Sequence, residues 1–258
     1  MTNSGRRLWE QTGARIPQFF RAPSTGYYRD CEISLFQEFF PSLKGKRLLK
    51  TDVWDEAKNT QILKWAEEQG ARVYGIDISS SIVKEARGRF EDRGRQKRFV
   101  LSDMRRMALG DDSFDLLYSM GTVEHFPEYR LALKECHRVL RPGGRAVIGV
   151  PNKFDPFLRP LLVWFLNKLS LYAYGLEKSF SLKELEAMLR EAGFVVEGRS
   201  GILFLPGWLR MADLWLHVRK PGLSFFLAPL IAPFAALYKR FKFLRRHGYL
   251  IACLAKKA

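Results

Sequence analysis

From Gly45 to about Asn152, short apolar runs alternate with longer stretches in which apolar residues recur every three or four positions. Arg47–Lys50, Ala71–Ile76, Arg98–Leu101, Phe114–Ser119 and Arg145–Val150 have the length and continuity of buried strands. Between them, Asn59–Gln69 has helical spacing and is closed by Gly70, and a second helix runs from a serine cap at Ser79–Ser81 to about Phe90. After Pro127, the apolar residues Tyr129, Ala132, Leu133, Cys136, Val139 and Leu140 fall on one helical face, which Pro142-Gly143-Gly144 ends. Strands and helices alternating at this length predict an α/β fold, a doubly wound, mostly parallel sheet with helices on both faces.

Beyond Asn152 the pattern changes. Phe154–Gly175 is an apolar helical stretch interrupted by Arg159, Asn167 and Lys168. Ser181 and Glu184 form a capping box ahead of Leu182, Leu185, Met188 and Leu189. Phe194–Leu205 reads as a strand, 206–247 as a helical insertion, and Gly248–Lys256 as a closing strand. This divides the chain into an irregular, partly helical N-terminal cap (1–44), a core (45–205), an apolar and basic lid (206–247) and a last strand of the core (248–258).

Composition narrows the class. With 47% hydrophobic and 27% charged residues among 258, the chain can bury a full core, which excludes disordered and disulfide-stapled proteins. The net charge of +16 calls for an acidic partner. That excess concentrates after Arg199, where Asp213 is the one acid. The uncharged run Gly222–Tyr238 is followed at once by Lys239, Arg240, Lys242, Arg245 and Arg246, the composition of an element on an anionic membrane surface. In Pro206–Lys220, Arg210, Asp213, His217 and Lys220 form a narrow polar stripe on a helix bearing Trp208 and Trp215. Gly222–Tyr238 is short for a spanning helix, which needs about 20 residues, and Pro229 and Pro233 should kink it. A closing strand in the same sheet also requires the chain to return to the side it left. An interfacial lid satisfies both facts, and a wholly protein-buried lid is the alternative. Cys31, Cys136 and Cys253 lie far apart, and neither they nor the four histidines have metal-ligand spacing. A reducing compartment, no metal and no signal peptide in MTNSGRRLWEQTGARIPQFF are expected, which together give a cytoplasmic protein peripheral to the inner face of a membrane.

Ligands of open parallel sheets bind beyond the carboxyl ends of the strands. Asp77 ends the second strand, where a carboxylate can accept both hydroxyls of a ribose, and Asp103 ends the third, where it can accept from an adenine amino group with Met104 on the ring. The order of ARVYGIDIS (71–79), LSDM (101–104), DDSFDLLYSMGTVEHF (111–126) and LRPGGRAVIGVPN (140–152) resembles the class I S-adenosylmethionine-dependent methyltransferases, particularly their small-molecule branch. The resemblance covers roughly residues 45–152. It implies a Rossmann-like fold, S-adenosyl-L-methionine as cofactor, and cofactor contacts from Asp77, Ile78, Asp103, Met104 and Gly121.

One segment departs from that family. Its first strand normally runs into a glycine-rich loop that brings backbone close to the cofactor. Here residues 50–60 read KTDVWDEAKNT, with no glycine. Either Asp52, Asp55 or Glu56 meets the cofactor's ammonium instead, or the site is lost and the domain is a scaffold. His125 is the candidate general base and Glu124 its neighbour beyond the fourth strand. Without catalysis, His125 would bond to backbone and Glu124 would cap the next helix. An apolar, basic-rimmed lid suggests a small amphipathic acceptor, lipid-like or lipid-linked. A nucleic-acid methyltransferase would also suit the charge, but here the basic residues interleave with aliphatic runs rather than with stacking aromatics.

Overall fold

The computed structural model describes residues 3–90, 98–172 and 174–258. Among them, β1 (Arg47–Lys50), β2 (Arg72–Asp77), β3 (Phe99–Leu101), β4 (Phe114–Met120), β5 (Leu140–Pro151), β6 (Phe194–Ile202) and β7 (Leu250–Lys257) form one sheet, in the order β3-β2-β1-β4-β5-β7-β6. The first five run parallel, while β7 is antiparallel to both β5 and β6. Successive residues of a strand point to opposite faces, so Leu48 joins the core on one side of the sheet and Leu49 the core on the other.

On the first face lie α2 (Pro23–Phe39), α4 (Ile62–Glu68) and α5 (Ser80–Arg87), which contribute Leu35, Phe36, Leu63, Ala66, Ile82 and Ala86. On the second lie α6 (Tyr129–Val139), with the predicted face Ala132, Leu133, Cys136 and Val139 buried, and α8 (Leu182–Glu191). The capping box that opens α8 is formed: Ser181 Oγ accepts from Glu184 N at 3.2 Å, and Glu184 Oε2 accepts from Ser181 N at 2.7 Å.

The cap at 1–44 is more regular than its composition suggested. α1 (Asn3–Arg15) precedes α2, whose Cys31, Leu35 and Phe36 are fully buried. The glycine-free loop holds a short helix, α3 (Trp54–Lys58), and α4 starts later than expected because Gln61 adopts a left-handed conformation (φ 55°) ahead of it. Extended backbone begins at Leu140 directly after α6, so Pro142-Gly143-Gly144 lies inside β5 as an irregularity rather than ahead of it.

Residues 159–168 form α7 (Arg159–Lys168). The insertion is helical: α9 (Gly207–Arg219), then α10, a continuous helical segment over Pro221–Arg240, then a 3-10 turn at Lys242–His247. The insertion leaves the sheet at Ile202 and rejoins it at Leu250, and those two residues are paired in register. Of its polar stripe, Asp213 and Arg210 point inward and Lys220 is exposed. α2 starts at Pro23 with no side-chain cap from Ala22, and Asp213 of α9, fully buried, accepts from Ser24 N at 2.8 Å in its place.

Candidate active site

The carboxyl ends of β1, β2 and β4 open into a cavity of about 500 Å³. It runs from Asp77 and Ile78, past Asp52, Gly121 and His125, to Leu162 of α7 and Met211 and Trp215 of α9.

Asp77 sits at the inner end. Its Oδ1 accepts from Ser79 N at 2.9 Å and its Oδ2 from Val53 N at 3.1 Å, and each oxygen keeps further acceptor capacity. Burial pushes its carboxyl up to about 7, although these two N–H groups oppose the shift. Gly75 makes the approach of the loop possible, since a Cβ there would collide with Val53 and Phe99. Ile78 and Met104 line the cavity beside Asp77. Asp103 does not. Its carboxylate turns to Arg105, accepting at 2.8 Å from Nη2, 3.1 Å from Nε and 2.8 Å from the backbone N, and those bonds hold it below the usual range against the opposing effect of burial. A guanidinium two residues away competes for the oxygens that an adenine amino group would use.

The three loop acids are separated by a residue whose role the sequence did not announce. Lys50, at the end of β1, is fully buried. Its Nζ donates to Asp52 O and Oδ1, both at 3.1 Å, and to Asp55 Oδ2 at 3.0 Å. Burial alone would pull this ammonium down, but Asp52, Asp55, Glu56 and Glu32 around it hold it well above the ordinary lysine value. Asp55 is further occupied by Asn59 Nδ2 at 2.9 Å. Glu56 faces α4, accepting from Leu63 N at 3.1 Å, and stands outside the cavity wall. The buried cation holds both Asp52 and Asp55 at the cavity wall, and Asp52 keeps the more exposed side chain. It lines the cavity, and its Oδ2 accepts from Thr122 Oγ1 at 2.6 Å.

These residues fit S-adenosylmethionine. Thr51 Oγ1 and Glu124 Oε2 are buried on the cavity wall without a hydrogen-bond partner among the described residues. With Asp77 and Asp52, they offer acceptors to ribose hydroxyls and to an ammonium. Asp77 would hold the ribose and Asp52 the methionine end, with carboxylates doing what a glycine-rich backbone does elsewhere in the resembled family.

At the outer end of β4, Gly121 takes φ +73°, a left-handed conformation that turns the chain into the 3-10 turn Val123–His125. His125 Nδ1 lies 2.6 Å from Leu176 O, and a carbonyl only accepts, so Nδ1 carries the proton and Nε2 keeps its lone pair. Burial lowers this imidazole below its usual range and keeps it neutral. Glu124 does not cap a helix. Its Oε1 lies 3.9 Å from His125 Nε2, and burial first, then Glu177, raises its carboxyl well above the usual range. Trp9 packs edge-on against His125 at 4.8 Å. It is brought there by its neighbour Glu10, which accepts from Ser80 N at 2.7 Å and Ser81 N at 3.0 Å at the start of α5.

Toward α7, Arg159 is buried in an ion pair with Glu177 and sits 3.9 Å over the Tyr249 ring. Beyond it the surface inverts. Trp164 of α7 is 59% exposed, Trp215 of α9 62% and Phe225 of α10 73%, and Phe165, Leu171, Trp208 and Phe226 continue the same apolar face. α10 is long and apolar enough by composition to cross a membrane, yet only 17% of its most apolar window is buried. Its Tyr238 OH donates to Gly201 O at 3.0 Å, which holds it against the sheet.

Comparison with known proteins agrees with this geometry. Residues 58–148 match the family model described as a methyltransferase domain. The 27-O-demethylrifamycin SV methyltransferase of Amycolatopsis mediterranei is 28% identical over 169 residues, 63% of this chain and 60% of that one. The 2-methyl-6-phytyl-1,4-hydroquinone methyltransferase of a Synechocystis strain is 29% identical over 163 residues, 60% of this chain and 50% of that one. Each match spans less than two thirds of the relative. A SAM-dependent methyltransferase structure from Thermotoga maritima superposes with a TM-score of 0.64 at 15% identity, covering 98% of this chain and 99% of that one, a likeness of fold.

Proposed function

We propose that the chain is a class I S-adenosylmethionine-dependent methyltransferase, in line with the methyltransferase-domain match over residues 58–148, and that it methylates a small amphipathic, lipid-like acceptor while resting on an anionic membrane surface. The observation that carries this reading is the single cavity that begins at Asp77 and ends between α7 and α9, the two helices whose outward faces are apolar. A polar cofactor end and an apolar acceptor end then share one chamber, and its mouth opens where a lipid would lie. The relative from Synechocystis, whose named substrate is a hydroquinone with a phytyl tail, supports an acceptor of this shape.

The cofactor supplies an electrophilic methyl group on a sulfonium. The protein's share is then chiefly positioning. Asp77 and Asp52 fix the two ends of the cofactor, and Trp9, Trp54 and Tyr174 wall the chamber. His125 Nε2 takes the proton that a hydroxyl acceptor must lose, and Leu176 O holds the imidazole in the required tautomer. Glu124 Oε1, 3.9 Å away, lies beyond hydrogen-bond distance and leaves that lone pair free.

Lys220, Lys239, Arg240, Lys242 and Arg246 rim the apolar face and suit anionic headgroups. Nucleic acid fits less well, since tryptophans, phenylalanines and leucines occupy the centre of this surface.

Titration calorimetry with S-adenosylhomocysteine, paired with flotation on vesicles containing anionic lipid, tests the proposal. Cofactor binding that falls at least about a hundredfold in Asp77→Ala, together with salt-sensitive co-flotation, is expected. No heat at high micromolar ligand would leave a scaffold. Cofactor binding without flotation would leave a methyltransferase of soluble acceptors.

A further inference from the structure

Arg210 is a part-buried guanidinium on the cavity wall, and it lacks an acid. It projects from the first turns of α9, stacked 5.1 Å from the Tyr28 ring. Its Nη1 donates to Ser24 O at 3.1 Å and Ser24 Oγ at 3.3 Å, and its Nη2 reaches Asn59 Oδ1 at 3.5 Å. Among the described residues no carboxylate lies within ion-pair distance of it, and its Nε–H has no acceptor. Asp213, one turn further along α9, is spent on Ser24 N. Of the other two cavity arginines, Arg159 is matched by Glu177 and Arg219 is exposed to solvent at the end of α9.

The place of this charge is as informative as its isolation. Asn59 Oδ1 also accepts from Thr25 Oγ1 at 2.9 Å, and Asn59 Nδ2 donates to Asp55, which shares Lys50 with Asp52. Arg210 therefore ends a continuous polar chain that starts at the loop after β1, at the methionine end of the cofactor site. Asp52 and Arg210 stand on the same cavity wall with opposite charges, and an α-amino acid carries the complementary pair. A guanidinium with an unused N–H edge suits a carboxylate better than any other acceptor.

We propose that Arg210 binds the α-carboxylate of the cofactor's amino-acid end, so that the lid helix supplies the contact which the missing glycine loop cannot. The inference rests on the cofactor reading above and extends it to a residue of the insertion. It makes α9 a two-sided element, with a cofactor-binding guanidinium on its inner face and Trp208 and Trp215 on its outer face. Cofactor binding then pins the lid.

The experiment compares S-adenosylhomocysteine with 5′-methylthioadenosine, which keeps the nucleoside and lacks the amino acid, by titration calorimetry. Wild-type protein should prefer the first by at least about tenfold, the range expected of one charged hydrogen-bonded contact. Arg210→Met should remove about ten- to hundredfold of affinity for S-adenosylhomocysteine and leave 5′-methylthioadenosine within about twofold. Arg210→Lys should restore part of the preference, since charge survives and the fork does not. Equal binding of S-adenosylhomocysteine by wild type and Arg210→Met overturns the proposal and leaves the charge for an anionic acceptor. Loss of both ligands in Arg210→Met overturns it too, and assigns Arg210 to holding α9 on α2. If neither S-adenosylhomocysteine nor 5′-methylthioadenosine binds wild-type protein, the cofactor reading itself has failed, and this inference with it.

Discussion

The two halves of the molecule obey opposite rules about which side of a helix belongs inside. In α6, Ala132, Leu133, Cys136 and Val139 point into the core, while Arg130 and Glu191 pair at the surface at 3.0 Å. In α9 the polar residues Asp213 and Arg210 point in and Trp208, Met211 and Trp215 point out. A helix facing water has no reason to do the second, because each exposed tryptophan forgoes burial worth about 2 kcal/mol or more. A helix facing an apolar phase does. On the proposed reading, the difference marks a fold that meets water on one half and an apolar phase on the other.

The comparison breaks first at the outer face. Replacing Trp164 and Trp208 together by Glu should weaken binding to anionic vesicles by about a hundredfold or more, read by flotation, with S-adenosylhomocysteine affinity unchanged. If the double variant floats as well as wild type, the exposed face is not the contact surface.

A smaller effect is expected at the inner face. Asp213→Ala leaves the Ser24 N–H at the start of α2 without its acceptor and should lower stability by about 1–3 kcal/mol, read by urea unfolding. It should also open 207–247 to limited proteolysis before the sheet yields. Unchanged stability would mean that the polar stripe does not anchor α9.

The smallest effect lies in the ordinary half and depends on pH. Burial pushes the Glu56 carboxyl up to about 7, above its value in an unfolded chain. Its contribution to stability is therefore intact below about pH 4 and is lost as pH rises through 7. Glu56→Gln, which keeps an acceptor for Leu63 N, should match wild type at acidic pH and unfold at slightly higher temperature than wild type at pH 8. Parallel melting curves across that range would mean the buried carboxylate is solvated or paired in ways that cancel.

Much of the sheet was legible because its residues obey simple periods. The strand at Arg47–Lys50, the α6 face and the Ser181–Glu184 box follow from spacing alone, and of the residues the sequence offered for a site, Asp77, Ile78, Met104, Gly121 and His125 line the cavity. What stayed hidden depends on partners far along the chain. Three acids in the β1 loop looked equivalent until Lys50 paired with Asp52 and Asp55 and α4 took Glu56. Asp103 passed as a ligand acceptor because its pairing with Arg105 depends on how the backbone turns between them. The polar stripe of α9 was visible, but its direction was not. Ser24 and Asp213 stand 189 positions apart, and a periodic pattern does not say which of two media each face will meet.

The pairing of Ile202 with Leu250 has a further consequence. The whole excursion from α9 to the final 3-10 turn enters and leaves the ladder at one rung, while Leu209, Ile231 and Tyr238 tie it into the core. Its outward faces can therefore change without disturbing a rung beneath it, whereas exchange of the whole insertion would take with it the Asp213 and Arg210 contacts that hold the start of α2.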